Sequence, residues 1–470
     1  MSKFRATGSA LGRLSGATLT VAAGLTCGGC GDYEDVGVAQ LALTNIGNAT
    51  EFRNKLAQDP YGSYLLTADI DLGNTTLHID KFHGQLDGGG RSIKNVRQVL
   101  DLTTGNAGIF RQLQGATIKN LNLTGLNMQA LAAGGLATQC TTTVIQNVTV
   151  AGTVKGAGST GALCGAMAGG SISNSSASGS VTSTAGSAGG LVGATGIDRG
   201  GRSITVSSSA VASMTVTGKT STGGLVGHCQ DPTISRSTVD ATVSTAGSAG
   251  GICGTMNGGS IGSSYAKGTV TSTGQYAGGL IGSGGVGQLA TGGPQVRISY
   301  AQTTVSASSY AGGILGYGVN SRIEDVYVVG NVTGRTYVGG IVGYEDATAT
   351  GGWILDKAIY RGSVTDTSRA NWAGVLGGYR DNVTRWEATY FDSSLDGMPQ
   401  NYLVRSTSQR PATSTALKTP TTADGGVYCG NTPPATRCGD NTFSEQEWTA
   451  GSTDQHHALL NMPGPNAQPR

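Results

Sequence analysis

Carboxylates and histidines are the residue types that could do chemistry in this chain, and both are thinly spread. Paired carboxylates on one strand face could hydrolyse a glycosidic bond, and Asp69 and Asp71 stand close together in the phrase TADIDL. We interpret this pair as turn and edge residues. Glu324 and Asp325 are expected to face opposite ways on one strand, and Asp240 stands alone. The carboxylates therefore predict no catalytic residues.

The five histidines give no better candidate, because none accompanies a nucleophile in a recognisable motif. They are His78, His83, His228, His456 and His457. The sequence contains no HExxH motif, and beyond its N-terminal leader it has no CxxC pair with a matching His or Cys set. We expect no metal site and no cofactor.

Five tyrosines recur at matching positions of successive repeats, namely Tyr265, Tyr300, Tyr327, Tyr360 and Tyr390. If the repeats stack, these rings form one column in the C-terminal half. The column has two interpretations: an internal aromatic ladder that stabilises the stack, or an exposed surface on which sugar rings could stack. We favour the internal ladder, although the sequence leaves both open.

The spacing of four cysteines also follows the repeat. The separation between Cys140 and Cys164 is the same as that between Cys229 and Cys253. We call the aliphatic residue that follows the glycine in each repeat its anchor aliphatic. In each pair the first cysteine lies shortly after one anchor aliphatic, and the second directly follows the anchor aliphatic of the next repeat. Stacked repeats would bring each pair to one corner, so we predict two disulfides.

The remaining cysteines bear on the two ends of the chain. Cys429 and Cys438 flank GNTPPATR and are predicted to form a third disulfide. Residues 1–30 carry basic residues, a weakly apolar stretch and then small residues, as an export signal does, and Cys30 is a candidate for lipidation. Disulfides and an export signal predict an extracellular or bacterial cell-surface protein, with an outer-membrane lipoprotein as one form of it.

The element that must position all these residues is a repeat. Glycine accounts for 79 of 470 residues, and a small residue, Gly and an aliphatic return together along the chain at one of two steps, a shorter and a longer. A period this regular is typical of a repeat architecture. The anchor aliphatics are Ile109, Leu136, Leu163, Leu191, Leu225, Ile252, Leu280, Ile314, Ile341 and Val375.

Each repeat contains about three short runs of alternating apolar residues separated by Gly, Ser, Asn or Asp. Three strands and three turns make one coil of a β-solenoid, and each longer step is the same coil with an inserted loop. The pattern predicts an all-β chain of about ten coils. Before them, Asn48 and Glu51 predict the start of a short helix that caps the first coil, with Phe52 and Leu56 on its buried face.

The organisation predicted from these patterns has four parts. Residues 1–30 are the export signal, 31–107 the N-terminal cap and first coils, 108–395 the repeats, and 396–470 an irregular C-terminal closing segment and tail. The 30 basic and 28 acidic residues leave no basic field for nucleic acid. We expect membrane contact only through a lipid anchor, and the oligomeric state is not readable from these patterns.

The phrases YLLTADIDL, FHGQLDGGGRSIKNV and AGIFRQLQGATIKNLNL, followed by the GGLVG, GGLIG and GGIVG series, resemble the GLUG-repeat proteins of bacterial surfaces. The resemblance covers roughly residues 41–395. It implies a right-handed parallel β-helix and an adhesin-like exported protein. In some proteins of this family the repeats are followed or preceded by a metallopeptidase domain. Because this sequence contains no HExxH motif, we expect the peptidase part to be absent here.

Two functions follow from these expectations. The first is a non-catalytic exported surface protein, adhesin-like or structural, that binds a cell-surface or matrix ligand such as a polysaccharide or protein. The alternative is a carbohydrate-active β-helix protein that binds, cleaves or hydrolyses polysaccharide.

Overall fold

The computed structural model describes residues 43–289, 292–346 and 353–368, and beyond them the backbone of several short strands between residues 373 and 459. One α-helix, α1, spans Ala49–Gln58. Asn48 caps it by accepting a hydrogen bond from the Glu51 amide at 2.9 Å, and Glu51 accepts from the Gly47 amide in return. Phe52 and Leu56 are buried, so the predicted cap helix is confirmed.

In the part of the chain that the structure describes, thirty-two strands form one large sheet. These strands are Thr44–Ile46, Ser63–Leu66, Ile70–Asp71, Ile79–Phe82, Gln85–Asp87, Ser92–Lys94, Arg97–Val99, Phe110–Gln114, Thr117–Ala130, Ala137–Gly156, Cys164–Ser173, Ser176–Ser183, Val192–Gly196, Ile204–Ser207, Ala210–Gly218, Val226–Gln230, Thr233–Ser235, Thr238–Thr245, Cys253–Asn257, Ser260–Gly262, Tyr265–Ser272, Ile281–Gly285, Gln295–Ala307, Leu315–Val319, Arg322–Val329, Val332–Gly334, Val342–Asp346, Trp353–Arg361, Val364–Asp366, Gly377–Arg380, Val383–Asp392 and Gln409–Ala412.

Ten short strands form a second sheet, the short sheet. They are Asn106–Ala107, Ala132–Gly134, Thr160–Gly161, Ala188–Gly189, Ser221–Gly223, Ser248–Gly250, Tyr276–Gly278, Tyr310–Gly312, Tyr337–Gly339 and Ala373–Gly374. Two further pairs join Tyr428–Cys429 to Phe443–Ser444 and Trp448–Thr449 to Ala458–Leu459.

Strands of both sheets pair in parallel with their equivalents one repeat earlier and later. A single column of valines shows the register along the large sheet. The column consists of Val154, Val181, Val216, Val243, Val270, Val305, Val332 and Val364. An all-β, parallel, solenoid-like architecture with one helix is thereby confirmed, and the shared core is its row of stacked Val, Ile and Leu side chains.

The double glycines of the repeat are explained by how closely successive coils approach. A Cβ added to Gly250 would meet the carbonyl oxygen of Cys253, and one added to Gly279 would meet that of Gly313 on the next coil. Neither glycine has a positive φ, so the requirement is space and not backbone conformation. The glycine phrase is therefore a packing requirement of this coil cross-section.

One corner of the coil is turned by a residue in the left-handed region in each successive repeat, with φ between 46° and 53°. The column contains Asn120, Asn147, Asn174, Ser208, Arg236, Ser263, Ile298, Asp325 and Lys357. Asparagine and aspartate tolerate this conformation, whereas the β-branched Ile298 is strained there. Gly, Ser, Asn or Asp were expected between the strands, and this corner also contains Arg236, Ile298 and Lys357.

A buried serine follows that corner in five repeats, namely Ser175, Ser209, Ser237, Ser264 and Ser299. Each hydroxyl donates to a carbonyl two residues back at 2.7–2.9 Å. The same hydroxyl accepts the backbone N–H of the equivalent serine one coil earlier, at 3.1–3.4 Å between successive serines. This serine ladder satisfies buried backbone donors that the turn removes from the sheet.

Two inserted loops interrupt the coils where the sequence takes one of its longer steps. The first lies between the strands Val192–Gly196 and Ile204–Ser207, and the second between Ile281–Gly285 and Gln295–Ala307. A buried carboxylate anchors each loop: Asp198 accepts the Gly200 and Arg202 amides, and Asp231 accepts the amides of Gln288 and Leu289. The described residues of each insert are thus tied to the coil by a buried carboxylate.

The two predicted cysteine pairs lie on adjacent coils. Cys140 is joined to Cys164 and Cys229 to Cys253, each with 6.2 Å between the Cα atoms, within the usual range for a disulfide. All four side chains are buried. Cys30, Cys438 and the side chain of Cys429 lie outside the described residues. No helix in the described part is long and apolar enough to cross a membrane.

Candidate functional site

The tyrosines singled out from the sequence lie inside the solenoid. Tyr265 is 4% exposed, Tyr300 and Tyr327 are each 1% exposed, and Tyr360 is fully buried. The Tyr265 and Tyr300 rings stack with centroids 4.7 Å apart and planes 2° apart. Burial raises the pKa of Tyr265 to about 12 and raises that of Tyr300 further. Rings placed in this way are an internal ladder and cannot stack on a sugar.

The expected single column also needs a correction at its C-terminal end. Tyr327 pairs with Ile359, so Tyr360 is displaced by one residue from the Tyr265, Tyr300, Tyr327 column. Tyr360 instead donates from its hydroxyl to the carbonyl of Ser363 at 2.8 Å. Tyr390 returns to the column by pairing with Ile359 in the backbone, and its side chain lies outside the described residues.

A second group of tyrosines, which the sequence reasoning missed, lies on the outside of the same coils. Tyr276, Tyr310 and Tyr337 stand one above another at the start of three short-sheet strands, with ring centroids 5.1 and 5.3 Å apart. Tyr317 and Tyr344 form a parallel column beside them, 5.6 Å apart. We call these five half-buried side chains the tyrosine face.

The two columns of the tyrosine face touch each other across their length. Tyr317 packs on Tyr276 at 5.3 Å and on Tyr310 at 5.9 Å, while Tyr344 packs on Tyr337 at 5.0 Å. Several of these contacts are tilted or edge-to-face, so the ring edges and faces present a continuous but uneven aromatic surface. The phrases YAGGLIG, YAGGILGYG and YVGGIVGYE carry the signal in the sequence, visible once they are aligned on their glycines.

The same two columns carry hydroxyl side chains in the preceding coils. Ser248 occupies the position of Tyr276, and Ser283 occupies that of Tyr317. Their hydroxyls lie 2.9 Å apart, and Ser221 and Thr255 repeat the arrangement at 2.8 Å one coil earlier. The backbone continues unchanged while its outward side chains change from hydroxyl to aromatic.

A carboxylate lies at one edge of the tyrosine face. Burial, followed by the charge of Asp346, raises the pKa of Tyr317, and the phenol hydroxyl lies 3.5 Å from an Asp346 oxygen. Glu345, which precedes Asp346 on the same strand, points inward and is fully buried. This burial raises the pKa of its carboxyl to about 8. The face therefore offers phenol groups, with the Asp346 carboxylate at its edge.

Four of the acids considered in the sequence, Asp69, Asp240, Glu324 and Asp325, lie in ion pairs, whereas Asp71 accepts hydrogen bonds from the Gly73 amide and the Asn95 side chain. Lys94 lies 2.6 Å from Asp69, and Lys267 lies 3.1 Å from Asp240 on adjacent coils. Glu324 and Asp325 do not alternate on a strand as expected, because Asp325 is a left-handed corner residue and both side chains are buried. Glu324 contacts Arg297 at 3.1 Å and Arg322 at 2.8 Å.

The described histidines have different neighbours from one another. His83 stacks on Tyr61 with centroids 4.6 Å apart, His78 is 3.4 Å from Gln98, and burial lowers the pKa of His228. Within the described residues, no three His, Cys, Asp or Glu side chains are grouped closely enough to hold a metal ion. His456 and His457 lie outside that part of the chain.

A comparison with protein families matches residues 47–152 to the N-terminal region of the M26 IgA1-specific metallo-endopeptidases. The matched segment contains α1, the first coils and the strand that carries Cys140. No curated protein matches the chain.

Two solved structures are similar to part of the chain. An IgA1 protease shares 19% identity over 65% of this chain and 23% of its own, with a TM-score of 0.40. A Bacteroides ovatus protein assigned as an immunoglobulin A1 protease shares 20% identity over 65% of this chain and 77% of its own, with a TM-score of 0.37. The chain thus spans about a quarter of the first protein's length.

These findings correct three expectations. The family that matches is the M26 peptidase region and not the GLUG-repeat proteins, whose glycine phrase is explained here by coil packing. The expectations of a non-catalytic adhesin and of a non-enzyme are wrong, since the matching family is one of endopeptidases. The carbohydrate-active alternative finds no support either.

A metallo-endopeptidase implies a bound metal ion, and the described residues do not fit one. They contain no group of three metal-ligating side chains, and the three described histidines each have other neighbours.

Proposed function

We propose that this protein acts in the hydrolysis of immunoglobulin-type proteins as an M26-type endopeptidase, and that the described solenoid is the part that engages the polypeptide substrate. The match of residues 47–152 to the M26 N-terminal region carries this proposal. The tyrosine face, on later coils of the same solenoid, is the surface we assign to substrate binding.

The chemistry of the tyrosine face supports a polypeptide as its ligand. Tyrosine offers a large contact area at a low cost in conformational entropy, together with a hydroxyl that donates to or accepts from a peptide group. Tyr276, Tyr310 and Tyr337 present three such groups along the coil axis, with successive ring centroids 5.1 and 5.3 Å apart. An extended segment lying along this axis would contact several rings at once.

The mutual packing of the rings also favours binding over a purely structural role. Each tyrosine of the face is held by its neighbours, so little side-chain entropy is lost when a partner covers it. The preceding coils keep the same backbone with Ser248 and Ser283 at the equivalent positions. Aromatic rings are therefore not required at these positions for the coils to stack.

The test is an assay of binding and cleavage with the purified full chain. Immobilised IgA1 is exposed to the chain in an interferometric binding assay, and IgA1 incubated with the chain is examined on a denaturing gel. We expect saturable binding and specific fragments. Absence of both binding and cleavage would overturn the proposal.

Variants assign the binding to the tyrosine face. Tyr310→Ser combined with Tyr317→Ser restores the residue type found in the Ser248 coil, so the fold is retained. We expect a loss of affinity for IgA1 of about tenfold or more. Tyr61→Ser removes an exposed aromatic that lies on His83 in the N-terminal region and is the matched control. Equal affinities of the double variant and the control would remove the face from the proposal.

We infer further that the solenoid winds in a right-handed sense through about ten coils. Connections between parallel strands of one sheet are right-handed in about 98% of cases, and the parallel pairings repeat once per coil. A crystal structure with a left-handed winding would contradict this inference.

We also propose that the protein is exported from the cell. Two buried disulfides support an oxidising compartment. The export signal in residues 1–30 and the lipid on Cys30 lie outside the described residues and remain part of the proposal. Mass spectrometry of the protein recovered from a cell envelope fraction would report the N-terminal residue and any acyl mass, and an unprocessed chain in the cytosol would contradict export.

A further inference from the structure

The first inserted loop and the coils beneath it enclose a polar cleft of about 340 Å³, remote in sequence from the tyrosine face. Its floor comes from the strand Phe110–Gln114 and from Thr141 and Thr142, and its rim from residues 198–202 of the insert. From this geometry we propose that the cleft is a binding site for a carboxylate group.

The acid that lines the cleft is already neutralised. The Asp198 side chain is 2% exposed and accepts hydrogen bonds from the amides of Gly200 and Arg202 at 2.9 Å. It also accepts from Nε of Arg202 at 3.0 Å and from the Thr142 hydroxyl at 3.2 Å. Because four donors already bond to this carboxylate, its negative charge is largely compensated and it repels a second anion only weakly.

Arg199, in contrast, has no hydrogen-bond or ion-pair partner among the described residues. Its side chain is exposed at the rim, while its backbone lies within a tight turn closed by the Gly201 amide bonding to the Asp198 carbonyl at 3.0 Å. The guanidinium is therefore carried on an anchored loop with its five donors available. Two arginines against one aspartate leave the lining with a net charge of +1.

The floor supplies further polar groups for the same ligand. Nε2 of Gln112 donates to Gln139 at 2.8 Å, so its amide is fixed in orientation. The side chains of Gln114 and Thr141 line the cleft with amide and hydroxyl groups. A carboxylate bound by Arg199 in a bidentate manner could also accept a hydrogen bond from these groups.

The second insert shows that arginine is not needed to hold such a loop. Asp231 anchors it through backbone amides of Gln288 and Leu289 at 2.7 and 3.0 Å, together with Gln230. The described residues of that loop include no basic side chain. Arg199 of the first insert, which has no partner among the described residues, is therefore not needed to anchor the loop.

The test uses a fluorescein-labelled octapeptide, capped at both ends, with two central glutamates among glycine and serine, and an otherwise identical peptide with two glutamines. Anisotropy titrations at low ionic strength give the affinity of the full chain for each. We expect the glutamate peptide alone to bind and Arg199→Gln to weaken it about tenfold or more. Arg236→Gln, the same change at an exposed arginine on a coil corner, is the control and should have no effect.

The remaining arms separate the sources of the carboxylate. Displacement of the peptide by free glutarate indicates that the carboxylate suffices, and resistance to glutarate indicates that the peptide context is recognised. Either result agrees with the site. No binding of the glutamate peptide, equal binding of the two peptides, or equal losses in Arg199→Gln and Arg236→Gln would overturn it. These results do not depend on IgA1, so they are independent of the proposed function.

Discussion

The coils on the two sides of Ser272 share one backbone but carry different side chains. In the preceding coils the outward columns hold Ser221, Ser248 and Thr255, and the two disulfides close the coils. In the following coils the outward columns hold five tyrosines, and the stacked rings of the interior begin at Tyr265, just before this point. Both sets of coils share the residues that fix the coil backbone, whereas the side chains that face solvent differ between them.

The shared positions are those where backbone meets backbone. Glycines at the coil contacts and one left-handed corner residue per repeat appear in both halves, and the serine ladder extends to Ser299. The comparison teaches that this fold separates the residues that build the scaffold from the residues available for binding. Four predictions test that separation, beginning with the largest expected effect.

Glycine substitution should damage both halves alike. A Cβ at Gly190 would meet the Gly224 carbonyl, and one at Gly279 would meet the Gly313 carbonyl. Backbone cannot move aside cheaply, so Gly190→Ala and Gly279→Ala are each expected to destabilise the fold by about 3 kcal/mol or more. Thermal unfolding followed by circular dichroism measures the effect. A mild loss in either variant would show that the halves do not share this constraint.

Removal of disulfides should affect the hydroxyl half alone. Each bridge joins cysteines with a sequence separation of 24, and for a loop of this length chain entropy gives about 3 kcal/mol. Paired Cys→Ala changes at Cys140 and Cys164 should therefore raise amide hydrogen exchange in the neighbouring coils. Coils around Tyr310 should keep their protection, and a uniform increase along the chain would contradict independent halves.

Glu345→Gln should change the pH dependence of the tyrosine half. The buried Glu345 carboxyl accepts from the Ser321 amide at 2.7 Å, and burial raises its pKa from 4.5 to about 8. The folded chain then holds a proton that the unfolded chain loses, so stability falls as pH rises from about 4.5 to about 8.

The glutamine variant should lose this dependence and be more stable at pH 8 by roughly 2 kcal/mol, with little difference at pH 4.5. Urea unfolding at several pH values gives the free energy of unfolding for both proteins. Asp240→Asn, at an exposed ion pair, serves as the comparison because screening keeps its effect small. Parallel pH profiles of wild type and Glu345→Gln would contradict the assignment.

Relief of strain at one corner gives the smallest effect. Ile298 has φ of 49° where equivalent coils carry Asn147 or Asn174. Ile298→Asn should stabilise the fold by about 1 kcal/mol, because asparagine tolerates this conformation. The midpoint of thermal unfolding should rise, whereas Ser263→Asn at the preceding corner should change it little. A lower midpoint for Ile298→Asn would show that its side chain packing outweighs the strain.

Much of the scaffold was predictable from sequence because its constraints recur with the period. The anchor aliphatics, the helix at Asn48 and the offsets of Cys140 and Cys164 all follow from local patterns that repeat. The exact column of each aromatic residue was not predictable. A shift of one residue takes Tyr360 out of the column that contains Tyr327, and this shift leaves the alternation of apolar residues undisturbed.

The candidate sites were harder to predict. In the sequence, Tyr310 is one of several residue types that precede the double glycine, and nothing marks it as part of a site. Its role becomes visible only in the structure, where its ring contacts that of Tyr317 in the neighbouring column. The cleft depends on Asp198 reaching Thr142, 56 residues and two coils away, from an inserted loop that lies outside the repeat pattern. Family assignment failed for a related reason: glycine phrases report coil geometry, which unrelated chains can share.

The serine ladder makes the length of this rod adjustable in whole units. Asn174 and Ser208 occupy the same corner, and Ser175 and Ser209 the same rung. Excision of residues 175–208 would join Asn174 to Ser209, whose hydroxyl would then face the Val148 amide that Ser175 now receives. Neither disulfide spans the cut. A shorter rod would keep every buried donor of this corner satisfied, so duplication or loss of one coil is a step that such a molecule survives.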